Sequence, residues 1–213
     1  MTGTKKGSKG SRTRDRILDV AEKLILRHGY SGTAIDDIIA QAHITKGGFF
    51  YHFDSKLELA HDLLDRYRER DADLFSDLMN RARTLVDDPL QQMLLFINLF
   101  AELFQENMED HPGCLSASFA YEDSQFNDEI RQLNQQNLST WRRIFEAQLE
   151  RICEKYPMAI ETDIESVADM LVTNIQGGLV LAIVHGKFDI PLQQLQQYRN
   201  YLQLLFEPRV RAA

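Results

Sequence analysis

The sequence predicts an all-α protein of about nine helices, in which a small N-terminal module precedes a larger helical body. Apolar residues recur at helical spacing in almost every segment. No run alternates polar and apolar residues as a half-buried strand does. Capping residues, glycine and proline divide the pattern into separate segments. The chain of 213 residues has room for a small domain joined to a larger one.

The first two predicted helices are separated by a glycine-containing turn. The first helix covers residues 12–28, and Gly29 suits the left-handed position that follows a helix. Thr33 is expected to cap the second helix, and Asp36 three residues later completes the spacing of a capping box. This helix extends to about Ala42.

The third and fourth helices follow after short connections. Thr45 is expected to cap a third helix over about residues 45–51. Ser55 and Glu58 repeat the capping-box spacing at the start of a much longer fourth helix, which extends to about Arg83.

Five further helices are predicted in the body. Their starting signals are Asp88 before Pro89, Cys114, Asn127, Thr162 with Glu165, and Asp189 before Pro191. Their predicted ends lie near Asn107, Asp123, Pro157, His185 and Pro208.

Charge is distributed unevenly along the chain. The net charge is −8 overall, but residues 1–60 carry +3 and the remainder carries −11. A basic head on an acidic body is typical of a protein that offers one end to phosphate groups. Lys5, Lys6, Lys9 and Arg12 could form a basic flexible arm over residues 1–11, or a solvated tail.

Several other classes of protein are disfavoured. The first residues lead into no apolar stretch, and no later run reaches the roughly 18 uninterrupted apolar residues of a membrane span. We therefore expect a cytoplasmic protein that does not enter a membrane. The two cysteines are far apart and match no disulfide framework, so we expect reduced thiols. No catalytic, metal-binding or cofactor-binding motif is found.

Three short helices with a tight connection before the third are the arrangement of a helix-turn-helix, whose third helix enters the major groove of DNA. The stretch Thr45–Phe53 contains no acidic residue and offers an amine, a hydroxyl, a phenol and an imidazole. Its paired glycines Gly47 and Gly48 disfavour a helix but allow close approach to another surface. Phe49 and Phe53 are expected to be core.

The segment ILDVAEKLILRHGYSGTAIDDIIAQAHITKGGFFYHFDSKLEL resembles the DNA-binding signature of the TetR/AcrR family of bacterial transcription regulators. The resemblance covers about 45 residues and ends on Tyr51-His52-Phe53 followed by Ser55-Lys56. It departs from the family at Gly48, where a larger side chain is common, and at His43-Ile44, which replace a commoner Gly-Val.

The resemblance implies a DNA-binding domain over residues 12–58 and an effector-binding and dimerisation domain over residues 59–207. By the same resemblance, Thr33 and Tyr51 would contact phosphates, and Thr45 would cap the third helix or contact a base. Lys46, Gly47 and Gly48 would face base edges or nearby backbone. His52 and Lys56 would hold the DNA backbone.

The resemblance also implies a homodimer formed by the last two helices. The apolar run from Leu171 to Val184 supports this pairing, and Gly177-Gly178 would permit a close approach of helices. The same helix could instead be buried within one subunit. A dimer is also expected because one short reading helix contacts few base edges.

An effector pocket is expected among helices four to eight. Its aromatic and sparsely polar candidates favour an apolar or aromatic effector, although any one of them could simply be core. They are Phe96, Phe100, Phe104, Cys114, Phe119, Trp141, Phe145 and Gln176.

Cys114 suggests a second possibility. It follows His111 and lies at a predicted helix N-terminus, a setting that favours thiolate and so a redox or electrophile sensor. Cys153 is expected to be core.

The expected mechanism is two-state, with an effector that tilts the fourth helix and releases the operator. Three alternatives remain: a DNA-binding regulator without an effector, a helical enzyme that uses Cys114, His111 and His185, and an adaptor that binds proteins through its acidic body. Repression of a palindromic operator is the expected outcome, although the sequence alone does not distinguish it from activation. The sequence identifies neither operator, effector nor target genes.

Overall fold

The computed structural model describes residues 9–107 and 113–206. Over these ranges the chain forms nine α-helices and a 3-10 turn at Asp123–Gln125, without a β-strand, as the sequence predicts. The helices are α1 Lys9–His28, α2 Ile35–Gln41, α3 Lys46–Phe50, α4 Lys56–Leu85, α5 Pro89–Asn107, α6 Leu115–Tyr121, α7 Asp128–Cys153, α8 Ile164–His185 and α9 Ile190–Phe206.

The chain divides into two compact units, and α4 and α7 each contribute residues to both. The N-terminal unit contains residues 9–68 and 113–135 of the described chain, and the C-terminal unit contains residues 69–107 and 136–206. Segment 113–135, which the sequence analysis assigns to the body, is therefore part of the N-terminal unit. The predicted arm begins to be helical at Lys9, and residues 1–8 lie outside the described residues.

One hydrophobic core organises the N-terminal unit. The apolar stripe of α1 is buried as its periodicity predicts, and its members are at most 5% exposed: Ile17, Leu18, Ala21, Leu24 and Ile25. Phe49 and Phe53 join the same core, which confirms their predicted role. Beside this core, the guanidinium of Arg66 on α4 lies 2.7 Å from the exposed Asp19 and 2.9 Å from the buried Glu22 on α1. These ion pairs hold α1 against α4.

Four of the predicted helix caps are confirmed. The Ser55 hydroxyl oxygen accepts a hydrogen bond from the Glu58 N–H at 3.1 Å at the start of α4. Thr45 Oγ1 accepts a hydrogen bond from the Gly48 N–H at 3.0 Å. Asp88 accepts one from the Gln91 N–H, and Asn127 accepts one from the Ile130 N–H, both at 3.0 Å. Each bond satisfies a backbone donor that the first turn of a helix leaves without a partner.

Two predicted caps are wrong. Helix α2 is capped at Ala34, whose N–H donates to the carboxylate of Asp37 at 3.2 Å, while the Thr33 hydroxyl donates back to the Gly29 carbonyl at 2.8 Å. Helix α8 is capped by Asp163, which accepts from the Ser166 N–H at 2.8 Å, and not by Thr162. In both places a carboxylate satisfies the free N–H, and the threonine lies one residue too early.

Helix α8 packs along α9 in the C-terminal unit. A Cβ at Gly178 would lie 2.7 Å from the Pro191 Cα, so this glycine allows the close approach of two helices within one chain. The neighbouring Gly177 is exposed, with no atom within 4 Å of such a Cβ. The close approach that the sequence predicts between subunits is therefore made, at Gly178, inside the chain.

By length and composition, α8 is also the one helix of the described residues that could cross a membrane, with a mean hydropathy of 1.7. The sequence analysis expected no such segment because it required an uninterrupted apolar run. Glu165 and Asp169 interrupt the run, and both pair with Arg142 on α7. Hydropathy averaged along the helix does not register these ion pairs.

The turn between α2 and α3 contains a strained residue. His43 has a φ of 51°, in the left-handed region that costs a residue with a side chain about 1–2 kcal/mol. The family that the sequence resembles commonly has glycine here, and glycine adopts this conformation without that cost.

We therefore expect His43→Gly to raise the free energy of unfolding by up to about 1 kcal/mol, because part of the relief is offset by the greater freedom of glycine in the unfolded chain. Urea unfolding followed by circular dichroism measures the change. The control His43→Ala removes the imidazole but keeps the strained backbone, so it should give no gain. An equal gain from alanine would mean that the side chain, and not φ, is responsible.

Candidate nucleic-acid interface

The short helix α3 has one buried side and one open side. Phe49 is fully buried and fixes the helix on the core, while Thr45, Lys46 and Gly47 are exposed. A helix of five residues is too short to be stable alone. Its conformation therefore depends on the Thr45 cap and on the burial of Phe49.

The residues that follow α3 extend its open side. Tyr51 is 82% exposed, and its ring lies edge-on to that of the half-buried His52, with centroids 4.9 Å apart. Neither α3 nor the three residues after it contain a carboxylate. We call Thr45, Lys46, Gly47, Gly48, Tyr51 and His52 the reading surface. It combines a positive charge with hydrogen-bonding groups and an exposed backbone, which suits it to phosphates and base edges.

The two glycines of α3 differ in their surroundings. A Cβ at Gly47 would meet no atom within 4 Å, so Gly47 leaves open space on the outer side. A Cβ at Gly48 would lie 3.3 Å from Thr45 Oγ1, the atom that caps the helix. Gly48 therefore gives the cap room, and Gly47 gives access to the backbone.

Two residues predicted to contact DNA have other partners in this structure. Thr33 is 1% exposed, and its hydroxyl bonds to the Gly29 carbonyl. The amino group of Lys56 donates to the Tyr30 carbonyl and lies 4.0 Å from the centroid of the Tyr30 ring. Their contacts with DNA remain predictions, and each side chain has a structural role within the N-terminal unit.

Glu122, the residue that follows α6, is a further residue of the N-terminal unit that no sequence motif predicts. Its carboxylate accepts hydrogen bonds from the N–H groups of Tyr30 at 2.6 Å and Ser31 at 2.8 Å. Burial opposes its ionisation, but these bonds and the charge of Lys56 hold the pKa of Glu122 below its ordinary value. Burial and the neighbouring carboxylate raise the pKa of Tyr30 to about 12. The contact joins residues about 90 positions apart, and no local motif signals it.

Five of the predicted effector residues lie together in the C-terminal unit. They form an aromatic cluster around Phe75 of α4, which the sequence analysis did not select although it continues the apolar face of that helix. Phe75 is 2% exposed, and its ring centroid lies 4.9 Å from that of Trp141. The other members are Phe96, Phe100, Phe104 and Phe145. In this conformation the cluster is packed as core, except that Phe104 is only partly buried.

The remaining three candidates lie elsewhere. Phe119 and Cys114 belong to the N-terminal unit, where Phe119 packs on Tyr30 and Cys114 is 6% exposed. The Tyr67 hydroxyl donates to the Cys114 thiol at 3.4 Å. His111, the partner expected for this thiol, lies outside the described residues. Gln176 on α8 has a buried side-chain N–H₂ group without a hydrogen-bond partner in the described chain.

Residues 9–107 and 113–206 contain no group of three or more histidine, cysteine, aspartate or glutamate side chains that could hold a metal ion. Cys153 is partly buried, and burial raises the pKa of its thiol.

Comparison with known proteins agrees with this geometry. Residues 17–63 match the family described as bacterial regulatory proteins, tetR family. Residues 89–197 match the C-terminal domain of LmrA/YxaF-like transcriptional regulators.

Two relatives match this chain over most of their length and of its own. The chain is 28% identical over 195 residues to the HTH-type transcriptional repressor DhaR of Mycobacterium sp. (strain GP1), a match that covers 91% of this chain and 90% of that protein. It is 25% identical over 182 residues to the HTH-type transcriptional regulator LmrA of Bacillus subtilis (strain 168), covering 84% and 90%. A TetR-family regulator from Agrobacterium tumefaciens has the same fold, with a TM-score of 0.78 at 22% identity over 93% of this chain and 100% of that one.

The Thr45 cap gives a direct test of how α3 is held. Thr45→Ala should lower the free energy of unfolding by about 1 kcal/mol in the absence of DNA, because the Gly48 N–H loses its acceptor. Thermal unfolding of the free protein measures this decrease. Thr45→Ser keeps the hydroxyl oxygen and should retain most of the stability. A decrease with serine as large as that with alanine would mean that the methyl group, and not the cap, matters.

Proposed function

Because this chain belongs to the TetR family of bacterial regulatory proteins, we propose that it is a repressor that binds a palindromic operator as a homodimer. We propose further that a small apolar or aromatic effector releases it from DNA.

The observation that carries the DNA-binding part is the reading surface. It is free of carboxylates and is built on a helix whose other side is anchored in the core. Tyr51 is 82% exposed, so its ring and hydroxyl are accessible to another molecule beside Lys46 and the exposed backbone of Gly47. Thr45, Lys46, Gly47, Gly48, Tyr51 and His52 are the proposed contacts.

Repression is proposed from the relatives. DhaR, which is similar over nine-tenths of both chains, is named as a repressor. A regulator that binds an operator and excludes the transcription machinery needs no catalytic step and no cofactor. We propose that it acts in the cytoplasm, where bacterial DNA is found, without a membrane partner.

Dimerisation is supported by an exposed apolar surface near the end of α8. Ile183 is 62% exposed, Val184 is 71% exposed, and Phe188 after the helix is 50% exposed. Val180 and Leu181 are also exposed on α8. We define these five residues as the apolar end surface. Clustered apolar side chains of this kind are typical of protein interfaces, and a second copy of the chain is the proposed partner.

The effector is proposed to enter the aromatic cluster of the C-terminal unit. The cluster is packed in the described conformation, so an effector must displace aromatic side chains to enter it. Phe75 lies on α4, which also contributes to the N-terminal unit. Movement of this helix is therefore the proposed route of release. The unpaired amide of Gln176 is a candidate polar anchor.

The DNA-binding proposal can be tested by selecting genomic fragments with the purified protein at moderate salt. The native chain should recover a shared palindrome, and Lys46→Ala with Tyr51→Ala should abolish recovery. The matched control is Lys187→Ala with Tyr121→Ala, which removes one exposed lysine and a tyrosine that is 79% exposed outside the reading surface. Equal recovery by both double variants would contradict the assignment of the reading surface.

The dimer proposal can be tested by sedimentation of the free protein. Ile183→Asp with Val184→Asp should convert a dimer to a monomer, because two charges would be buried without partners in the interface. Ile160→Asp is the control, since Ile160 is 54% exposed outside the apolar end surface and should leave the dimer intact. A dimer that survives the double substitution would place the interface elsewhere.

A further inference from the structure

The end of α1 is held by a residue from a distant part of the chain. The two carboxylate oxygens of Glu122 accept from the consecutive N–H groups of Tyr30 and Ser31, one oxygen for each donor. Gly29 precedes them with a φ of 77°, and a Cβ on it would lie 2.6 Å from Glu122 Oε1. A glycine is therefore needed here both for its conformation and for the approach of the carboxylate.

Lys56 completes this arrangement from the first turn of α4. Its amino group donates to the Tyr30 carbonyl and lies over the Tyr30 ring. Burial lowers the pKa of Lys56, while the charge of Glu122 opposes that shift. The Tyr30 carbonyl takes one of the three N–H donors of this amino group and the centroid of the Tyr30 ring lies 4.0 Å away, so the amino group is held against the turn after α1.

The Tyr30 ring is also enclosed by aromatic side chains near α6. Its centroid lies 4.6 Å from that of Phe126 and 5.8 Å from that of Phe119. The N–H group, ring and carbonyl of Tyr30 are thus bound by two parts of the N-terminal unit, residues 119–126 and the start of α4. Such a residue cannot shift without all of them moving.

We propose that Glu122 and Lys56 form an internal clamp on Tyr30 that positions the helix-turn-helix for DNA, and that Lys56 does not bind phosphate itself. Glu122 is a positioning residue, because it acts on the reading surface only through the turn after α1. The effect of this clamp on DNA binding rests on the proposed function. The clamp also adds to that function, because α6 would be coupled to the DNA-binding helices through one carboxylate.

The salt dependence of operator binding separates a clamp from a phosphate interaction. The slope of log K against log salt changes by about 0.9 for each phosphate that the protein neutralises, so removing one such lysine from each of two subunits changes it by about 1.8. Lys46→Ala should produce this change. Lys56→Met should weaken binding about tenfold. It should change the slope no more than the control Lys187→Ala does, because Lys187 lies outside the N-terminal unit.

Glu122→Gln tests the carboxylate with the same side-chain shape. One N–H donor would then face an amide N–H₂ group, and operator affinity should fall about tenfold with an unchanged slope. Glu129→Gln is the matched control, because Glu129 lies in the same unit with its side chain 72% exposed. It removes the same charge and should not weaken binding. The double variant Glu122→Gln with Lys56→Met should bind little worse than either single variant, since both break one clamp.

Hydrogen exchange of the free protein gives a readout that does not involve DNA. The amides of Tyr30 and Ser31 should exchange at least tenfold faster in Glu122→Gln and at the native rate in Glu129→Gln. One outcome is that the amides exchange faster in Glu122→Gln while the native protein selects no operator. That result would refute the proposed function and still support the clamp.

The clamp is overturned if Lys56→Met reduces the slope as much as Lys46→Ala does, or if Glu122→Gln changes neither exchange nor affinity. If circular dichroism shows that Glu122→Gln does not fold, the slope of Lys56→Met decides between the two roles of that lysine.

Discussion

The N-terminal unit depends on how the backbone groups at the end of α1 are satisfied. A helix that ends at a left-handed glycine exposes backbone groups that must find partners when they are buried. Here the partners are side chains from α4 and from the residue after α6. The turn that leads into the helix-turn-helix is therefore fixed by parts of the chain outside it. Segment 113–135 also buries Leu115, Phe119, Phe126 and Ile130 in the hydrophobic core of this unit, so it forms one compact unit with the first three helices.

Helix α3, with only five residues, forms a defined surface because neighbouring parts of the unit hold it in place. Helix α3 has too few residues for its own hydrogen bonds to stabilise it. It is held at its start by the Thr45 hydroxyl and underneath by Phe49, whose ring lies 5.8 Å from that of Phe53. Ion pairs between α1 and α4 then keep the supporting helices in place, and Glu22 is buried in one of them. With its framework supplied by neighbours, α3 can carry glycines and polar groups.

Contacts between residues close in sequence could be predicted, and contacts between distant residues could not. The caps at Thr45, Asp88 and Asn127 follow from a side chain and an N–H group three residues apart. Thr33 and Thr162 fit the same spacing, but a carboxylate at Asp37 and at Asp163 takes the free N–H instead. Periodicity identified the buried face of α1 because that face repeats along one helix.

Three other residues have partners that the local sequence does not indicate. Lys56 occupies a position that resembles a phosphate contact, yet its partner is the carbonyl of a residue in the turn after α1. Glu122 looks like a surface acid after a short helix until the fold brings it to Tyr30. Gly178 suggests a contact between subunits, and the close neighbour is Pro191 of the same chain. In each case the residue type was informative, but its partner depended on the tertiary structure.

The apolar composition of helix α8 requires a second partner besides α9. A helix that is apolar on all sides must be covered on all sides. One side is covered by α9, where Gly178 meets Pro191, and the first turns form ion pairs with Arg142. The side with Ile183 and Val184 has no cover within the described chain, since both are more than half exposed. Lipid would cover this side but would also surround the paired charges at the other end of the helix, at a high cost in free energy. A second copy of the chain can cover the apolar end and leave those ion pairs in water, so dimerisation explains both ends of the helix.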